Sequence, residues 1–186
     1  MPLVLGIDSS LTRTGLCHVF TSEFAETAEI EVRSVSTSPA AYGTTPCGYS
    51  RRIDHLVQAI EPWMKGVDLV AIEQLAYAAR GNAAFALPWL WGRIIDSAAE
   101  RKIPVLVVGT SARAKYATGK GNSPKDAVLA AAIRRWPNVD ITDNDVADAL
   151  IVAAIGSRHI GHPVDDVPKS HYVDVMKKLG LPDLAA

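Results

Sequence analysis

The feature that most constrains this chain is an apolar run that ends in a carboxylate. Residues 3–7 carry no charge and are followed directly by Asp8. Such a run predicts a buried strand, and an ionised carboxylate at its end is unfavourable unless a cation or hydrogen-bond donors balance it. The pattern recurs at residues 69–72, which are followed by Glu73. Two buried strands are therefore expected to end in acids.

A third acidic segment opens a predicted helix near the end of the chain and contains Asp143, Asp145 and Asp148. Asp145 and Asp148 share a helix face, where like charges raise each other's pKa unless a cation neutralises them. Hard oxygen ligands without a Cys or His cluster favour Mg²⁺ or Mn²⁺ over Zn²⁺. The simpler alternative is that the three aspartates complement the helix dipole, while Asp8 and Glu73 hydrogen-bond locally.

Length and composition favour a single compact α/β domain. The chain has 186 residues, of which 48% are hydrophobic, enough for a sizeable core. The first apolar run is too short for a signal peptide, and we expect a cytoplasmic protein. Cys17 and Cys47 lack metal-ligand spacing, so reduced structural thiols are expected.

The charge is unevenly distributed although the formal net charge is only −1. One stretch has a single acid, Asp126, and eight basic residues: Arg101, Lys102, Arg113, Lys115, Lys120, Lys125, Arg134 and Arg135. A basic band beside clustered carboxylates suits an enzyme that cuts phosphodiesters, because cations attract the backbone while acids hold metals. Solvated charges on helix faces are the alternative interpretation.

Periodicity and turn residues predict a mixed five-stranded sheet with helices on both faces. Strands are predicted at 3–7, 16–21, 29–36, 69–75 and 105–108, the first three as an antiparallel meander. Helices are predicted at 49–64, 83–101, 124–136, 144–155 and 170–179. Pro88 is expected to kink or divide its helix, and Ser123 and either Thr142 or Asp143 to cap theirs. Residues 38–50 are predicted as a loop and 109–123 as a mobile basic loop.

Three motifs together resemble the RuvC family of Holliday-junction resolvases. They are Gly6-Ile7-Asp8 with Thr14-Gly15, then Ala71-Ile72-Glu73-Gln74, then Asp145-Val146-Ala147-Asp148-Ala149-Leu150. The similarity in order and spacing spans about residues 3–155. Cellular members usually carry Pro-Gly after the first acid, whereas this chain has Ser9-Ser10, which looks more like phage-encoded members.

The resemblance implies an RNase H-like nuclease domain at residues 1–156, with 157–186 as a C-terminal extension. It also implies a homodimer that nicks two strands of a DNA four-way junction symmetrically. Asp8, Glu73, Asp145 and Asp148 would be the metal-binding tetrad for two Mg²⁺ ions, with Mn²⁺ as a substitute. Whether a branch-migration motor is a partner stays open.

The same resemblance suggests which residues contact DNA. Lys115 and Lys125 occupy the family's basic positions after the fifth strand and are candidate catalytic residues. Lys120 lies between two glycines that let a backbone approach closely, and Tyr77 stands one position after the family's stacking aromatic. The candidate DNA-binding residues are therefore Tyr77, Arg80, Arg113, Lys115, Lys120 and Lys125.

The predicted helix at 83–101 is unusually aromatic. Trp89 and Trp91 are two residues apart and cannot share a helix face, so one of them is expected to leave the core. The resemblance places a dimer interface on this helix, which an exposed aromatic would fit. Simple core packing is the alternative.

Other functions remain compatible with parts of the pattern. An RNA-processing nuclease of the YqgF group and a general flap or branch endonuclease share the expected fold. An actin-like phosphotransferase also begins with a strand, Gly-Ile-Asp and a Thr-Gly turn, but it needs two such domains, which the length disfavours. A non-catalytic DNA-binding module is the remaining alternative.

Overall fold

The fold is built on one mixed sheet of five strands in the order β3-β2-β1-β4-β5. The computed structural model describes residues 2–21, 28–75, 83–165, 169–180 and 182. β1 is antiparallel to β2 and β2 to β3, whereas β4 is parallel to both β1 and β5. The strands are β1 Leu3–Asp8, β2 Arg13–Phe20, β3 Glu29–Ser36, β4 Leu69–Glu73 and β5 Val105–Val108.

Seven α-helices lie in the described ranges, and one 3₁₀ turn, Glu61–Met64, follows the second of them. They are α1 Pro39–Tyr42, α2 Pro46–Ile60, α3 Ala83–Glu100, α4 Thr110–Thr118, α5 Lys125–Arg135, α6 Asn144–His159 and α7 Ser170–Met176. Within the part of the chain that the structure describes, none of the helices is both long and apolar enough to cross a membrane.

Alternate strand residues supply two separate cores, as the two-residue period of a strand requires. One face of the sheet packs against α4, α5, α6 and α7 and uses Val4, Cys17, Val19, Leu69, Ala71, Leu106 and Val108. The other face packs against α2 and α3 and uses Leu5, Ile7, Leu16, Val70, Ile72 and Val105. The predicted mixed sheet with helices on both faces is confirmed.

α6 is the central helix of the fold and is buried on all sides from Val146 to Ser157. It lies across β1, β2 and β4, and glycines allow it to approach them closely. A Cβ on Gly6 would overlap the Ala149 carbonyl oxygen and stand 2.7 Å from the Ala153 Cβ. A Cβ on Gly15 would overlap the Asp145 carbonyl oxygen. Because Gly6 and Gly15 have no side chain, α6 lies closer to the sheet than a Cβ at either position would allow.

The predicted mobile loop at 109–123 is wrong for most of its length, because it contains helix α4. Ala114, Tyr116 and Ala117 are buried against the core, and this tertiary packing stabilises a short helix of weak amphipathicity. Gly119 ends it with a left-handed φ of 86°. Ser123 does not cap α5; its Oγ lies 2.7 Å from the Thr118 Oγ1 and closes the following turn.

Other boundaries also differ from the sequence prediction. Residues 38–50 include α1 and the start of α2, where the Thr45 Oγ1 accepts a hydrogen bond of 3.1 Å from the Gly48 N–H. Pro88 lies inside α3 and does not divide it, although a proline there donates no intrahelical hydrogen bond. Asp143 caps α6 as predicted, but the helix continues past residue 156, the predicted end of the nuclease domain. That domain boundary stays a prediction.

The close packing of β1 on α6 predicts opposite effects for two Gly→Ala substitutions. Gly6→Ala should destabilise the protein by about 3 kcal/mol or more, because the new methyl group overlaps the α6 backbone. Gly92→Ala, within α3 where nothing lies near the new Cβ, should stabilise by roughly 0.5–1 kcal/mol. Urea unfolding of both variants checks this, and equal effects would contradict the packing argument.

Candidate metal centre

Three buried carboxylates meet at one edge of the sheet. β1 and β4 are parallel with Ile7 opposite Ile72, so Asp8 and Glu73 emerge side by side at the carboxyl ends of their strands. Asp148 reaches them from α6, where it is only 1% exposed. One carboxylate oxygen from each of the three lies within 4.8 Å of the others. The structure thus brings together three of the four acids of the predicted tetrad.

The turn that follows Asp8 is held by hydrogen bonds of buried side chains. Thr14 Oγ1 donates to the Ser10 carbonyl over 2.8 Å and accepts from the Ser10 N–H over 3.2 Å. Arg52, which is buried, donates to the Leu11 carbonyl at 2.6 Å and to Thr37 Oγ1 at 2.7 Å. The Arg52 guanidinium thus anchors the segment beside Asp8, a role that its position in a helix did not reveal.

A second anchor holds the end of β4. Trp91 Nε1 donates a hydrogen bond of 3.1 Å to the Glu73 carbonyl oxygen. Trp91 is half-buried, whereas Trp89 is 37% exposed. The prediction that one of these two tryptophans leaves the core is therefore confirmed, and the inner one positions an acid of the site.

The remaining two acids of the third segment lie apart from this compact trio. Asp145 is partly exposed and lines a cavity that opens over Asp8 and Glu73. Asp143 caps α6 by accepting a 2.9 Å hydrogen bond from the Val146 N–H, and its other oxygen pairs with Arg13 Nη1 at 3.0 Å. The dipole and capping interpretation is thus correct for Asp143, while Asp145 faces the cavity.

Two acids of this site, Asp8 and Asp145, have raised pKa values. Burial, together with the charge of Glu73 and a hydrogen bond to it, raises the pKa of Asp8 well above its ordinary range. Burial also raises the pKa of Asp145, while nearby Lys125 opposes that shift. A cation beside Asp8 would favour its ionised form and lower this pKa.

Arg113 is the cation that the structure places among the buried acids. It projects from α4, with its Nε 3.0 Å from Glu73 Oε1 and its Nη1 against Asp148 Oδ2. Arg113 is also a predicted DNA-binding residue, and its side chain is only 8% exposed. Its immediate partners are the carboxylates, and its contact with DNA stays a prediction.

A cavity of about 220 Å³ opens over the acids. It is lined by Asp8, Ser9, Ser10, Glu73, Gln74, Leu75, Leu87, Thr110, Arg113, Lys125 and Asp145. Lys125 stands at its mouth, with a 62% exposed side chain whose Nζ lies 3.9 Å from Asp148 Oδ2. Lys125 can thus contact a ligand and the acids together.

Lys115 and Lys120 are not among the described residues that line this cavity. Lys115 Nζ pairs with Asp174 Oδ2 at 2.8 Å and faces a neighbouring cleft. Lys120 is exposed in the turn after α4. Tyr77 and Arg80 lie outside the described residues, so the stacking role assigned to Tyr77 stays a prediction.

The donor set fits a hard divalent cation. Carboxylate oxygens are the preferred ligands of Mg²⁺ and Mn²⁺. Glu73 Oε1 and Asp148 Oδ2 are buried and make no hydrogen bond, although both lie against the Arg113 guanidinium. A bound cation would therefore take over from Arg113 as the positive partner of these two oxygens. Asp8 and Glu73 contribute from strand ends and Asp148 from a helix, which gives a site supported by three separate elements.

Comparison with known proteins identifies the family. The family model described as crossover junction endodeoxyribonuclease RuvC matches residues 4–156. The chain belongs to the RuvC family. This membership confirms the predicted class of enzyme, a DNA endonuclease that acts at crossover junctions.

Individual relatives agree with the family assignment. The chain is 30% identical over 154 residues to the crossover junction endodeoxyribonuclease RuvC of Paenarthrobacter aurescens, covering 81% of this chain and 78% of that protein. The enzyme of the same description from Corynebacterium diphtheriae is 30% identical over 154 residues, covering 80% of this chain and 90% of its own length.

Solved structures confirm the fold. Thermus thermophilus RuvC superposes with a TM-score of 0.67 at 21% identity, covering 88% of this chain and 99% of that one. The same protein in complex with a Holliday-junction substrate gives a TM-score of 0.65 at 21% identity, with the same coverage. Fowlpox virus resolvase gives 0.55 at 10% identity, covering 86% and 99%. The expected RNase H-like architecture is thereby confirmed.

Replacing Asp8 by Asn should raise stability in chelator and remove the response to Mg²⁺. The raised pKa of Asp8 means that the folded state binds its proton more tightly, so stability falls as pH rises from the ordinary value of 3.8 towards the raised one. Asp8→Asn removes that loss and should raise Tm at neutral pH by roughly 2–4 °C, or about 1 kcal/mol. Scanning calorimetry in chelator and in Mg²⁺ measures both effects.

The exposed Asp140 provides the matched control. Asp140→Asn should leave Tm unchanged in chelator and keep the wild-type increase with Mg²⁺, since Asp140 lies outside the cavity. An undiminished Mg²⁺ effect on Tm in Asp8→Asn would show that Asp8 is not a ligand.

Replacing Arg113 by Gln should make the protein more dependent on a divalent cation. Removing one partner from a buried ion pair destabilises by roughly 3–5 kcal/mol, and a metal ion can restore the missing positive charge. We expect a lower Tm in chelator and a larger Mg²⁺-induced rise than in the wild type. Equal Mg²⁺-induced shifts in both proteins would contradict this role.

Arg93 offers a control pair of the same chemistry on the surface. Its Nη1 lies 3.0 Å from Asp54 Oδ1, with both side chains about two-fifths exposed. Arg93→Gln should change stability by less than about 1 kcal/mol and leave the Mg²⁺ effect on Tm unaltered.

Proposed function

We propose that this chain is a homodimeric, Mg²⁺-dependent resolvase that cuts four-way DNA junctions by hydrolysing one phosphodiester in each of two strands. The observation that carries the proposal is the trio of Asp8, Glu73 and Asp148, buried within 4.8 Å of one another at a cavity in a RuvC-family fold. A DNA junction is the ligand in the structurally similar Thermus complex.

Asp8, Glu73 and Asp148 would hold the first ion. Asp145, at the rim of the same cavity, would join them for a second ion. Two such ions, when bound, lower the pKa of an attacking water and stabilise the charge on the leaving oxygen. Mn²⁺ offers the same preference for oxygen ligands and should substitute.

The protein's own residues perform the positioning. Trp91 donates a hydrogen bond to the backbone of Glu73, and Arg52 donates one to the Leu11 carbonyl in the turn after Asp8. Lys125, at the mouth of the cavity, is suited to contact the phosphate that enters it. Arg113 maintains charge balance among the acids before an ion binds.

The proposed dimer is supported by the surface of α3. Phe85 and Trp89 are 46% and 37% exposed on this helix. Exposed aromatics are enriched at protein interfaces, and the resemblance places a dimer contact on the corresponding helix. A second subunit would supply the second of two symmetric cuts.

A cleavage assay on several substrates tests the function. A mobile four-way junction should be nicked at symmetric positions with Mg²⁺ or Mn²⁺ and remain intact with chelator, while linear duplex should not be cut. Asp8→Asn should lower the cleavage rate by about 10³-fold or more, the order found when catalytic groups are removed. Light scattering of the same preparations should give the mass of a dimer.

The same assay separates the alternatives. Equal cutting of flaps and junctions would indicate a general branch endonuclease, and preference for structured RNA would indicate a YqgF-like activity. Junction cutting that persists undiminished in Asp8→Asn would overturn the metal-site assignment.

A further inference from the structure

A second cleft adjoins the acidic cavity and is formed partly by the C-terminal extension. It has a volume of about 400 Å³ and is lined from the core by Gln74, Val107, Gly109, Ser111, Ala112, Lys115 and Gly121. The extension contributes Asp174, Val175, Lys178, Leu179 and Gly180. Gln74 lines both cavities. The cleft therefore begins one residue beyond Glu73.

The charges of this cleft suit a phosphodiester backbone. Lys115 enters from α4 and Lys178 from the segment after α7, while Asp174 is the one acid among the described lining residues. Lys115 Nζ lies 2.8 Å from Asp174 Oδ2. The hydrogen bond and charge of Lys115 lower the pKa of Asp174, so the Asp174 carboxylate is ionised and offsets the positive charge of Lys115.

The extension is fixed firmly enough to form a wall. Tyr172 of α7 stacks on Tyr116 of α4, with ring centroids 4.3 Å apart. The guanidinium groups of Arg135 and Arg158 lie over the Tyr172 ring, at 5.2 and 5.0 Å. Both arginines also pair with buried Asp165. Arg158, Asp165 and Tyr172 of this cluster follow residues 4–156, the part that matches the family model.

We propose that α7 and the residues after it form, with α4, a second phosphate-binding cleft that holds the DNA strand next to the cleaved position. The proposal rests on the nuclease function above. Lys178 and Lys115 contact phosphates, and Asp174 competes with the incoming phosphate for Lys115. The extension thereby adds to the DNA surface and also limits the affinity of the free enzyme.

Charge substitutions in the full chain test the cleft. Binding of a labelled four-way junction is measured by fluorescence anisotropy in chelator over a series of salt concentrations. Lys178→Gln should weaken binding by about 3- to 10-fold and reduce the slope of log affinity against log salt by about 0.9, the value for one phosphate contact. Asp174→Asn should strengthen binding by a similar factor and increase the slope.

Two controls make the result specific. Lys65→Gln removes the same charge near the other end of β4, where Lys65 lines a separate cavity. It should change the affinity for DNA by less than about 2-fold, because salt screens charges that lie far from the bound strand. In a Lys115→Gln background, Asp174→Asn should no longer strengthen binding, because the lysine it would release is gone. Thermal unfolding shows whether each variant keeps its fold.

Each outcome has a definite meaning. If Lys178→Gln behaves like Lys65→Gln, the extension is not part of the DNA surface, and the cleft proposal is overturned even though junction cutting continues. If Asp174→Asn strengthens binding equally with and without Lys115, competition for Lys115 is wrong. If the wild type neither binds nor cuts the junction, it is the nuclease function that fails.

Discussion

The structure depends on the balance of charge among three buried carboxylates. Asp8, Glu73 and Asp148 are brought together by strand pairing and by the packing of α6, and each would be unfavourable alone in such surroundings. Arg113 supplies a compensating cation from α4. Clustered buried acids lower the stability of the folded protein. Binding of a cation or protonation of the acids raises that stability again.

The position of α6 connects this electrostatic problem to the core. The helix is buried all round from Val146 to Ser157, although it carries the carboxyl group of Asp148. Gly6 and Gly15 let it lie close against β1 and β2, and this approach sets how deeply Asp148 enters the site. Packing of small residues at the centre of the fold thus decides the geometry of the carboxylates at its edge.

The basic surface is divided among elements with different tasks. Arg113 faces inward to the acids, Lys125 stands at the cavity mouth, and Lys115 is held by Asp174 of the extension. Basic residues that are close together in the sequence therefore lie in three different environments. The cause is that α4 and α5 present successive residues to the core, the cavity and α7, which a count of charges along the chain does not distinguish.

The sequence by itself determined the sheet, the acids at the ends of β1 and β4, and the family, because strand ends and short motifs are local features. How closely Asp8 and Glu73 approach Asp148 was decided by the pairing of β1 with β4 and by the packing of α6. The sequence did not determine α4, whose weak amphipathic pattern is stabilised by packing of Tyr116 and its neighbours. Nor did it reveal Arg113 as an internal cation or Asp174 as the partner of Lys115. Those pairings join residues distant in sequence, and only the tertiary structure brings opposite charges within contact and decides which of them are buried.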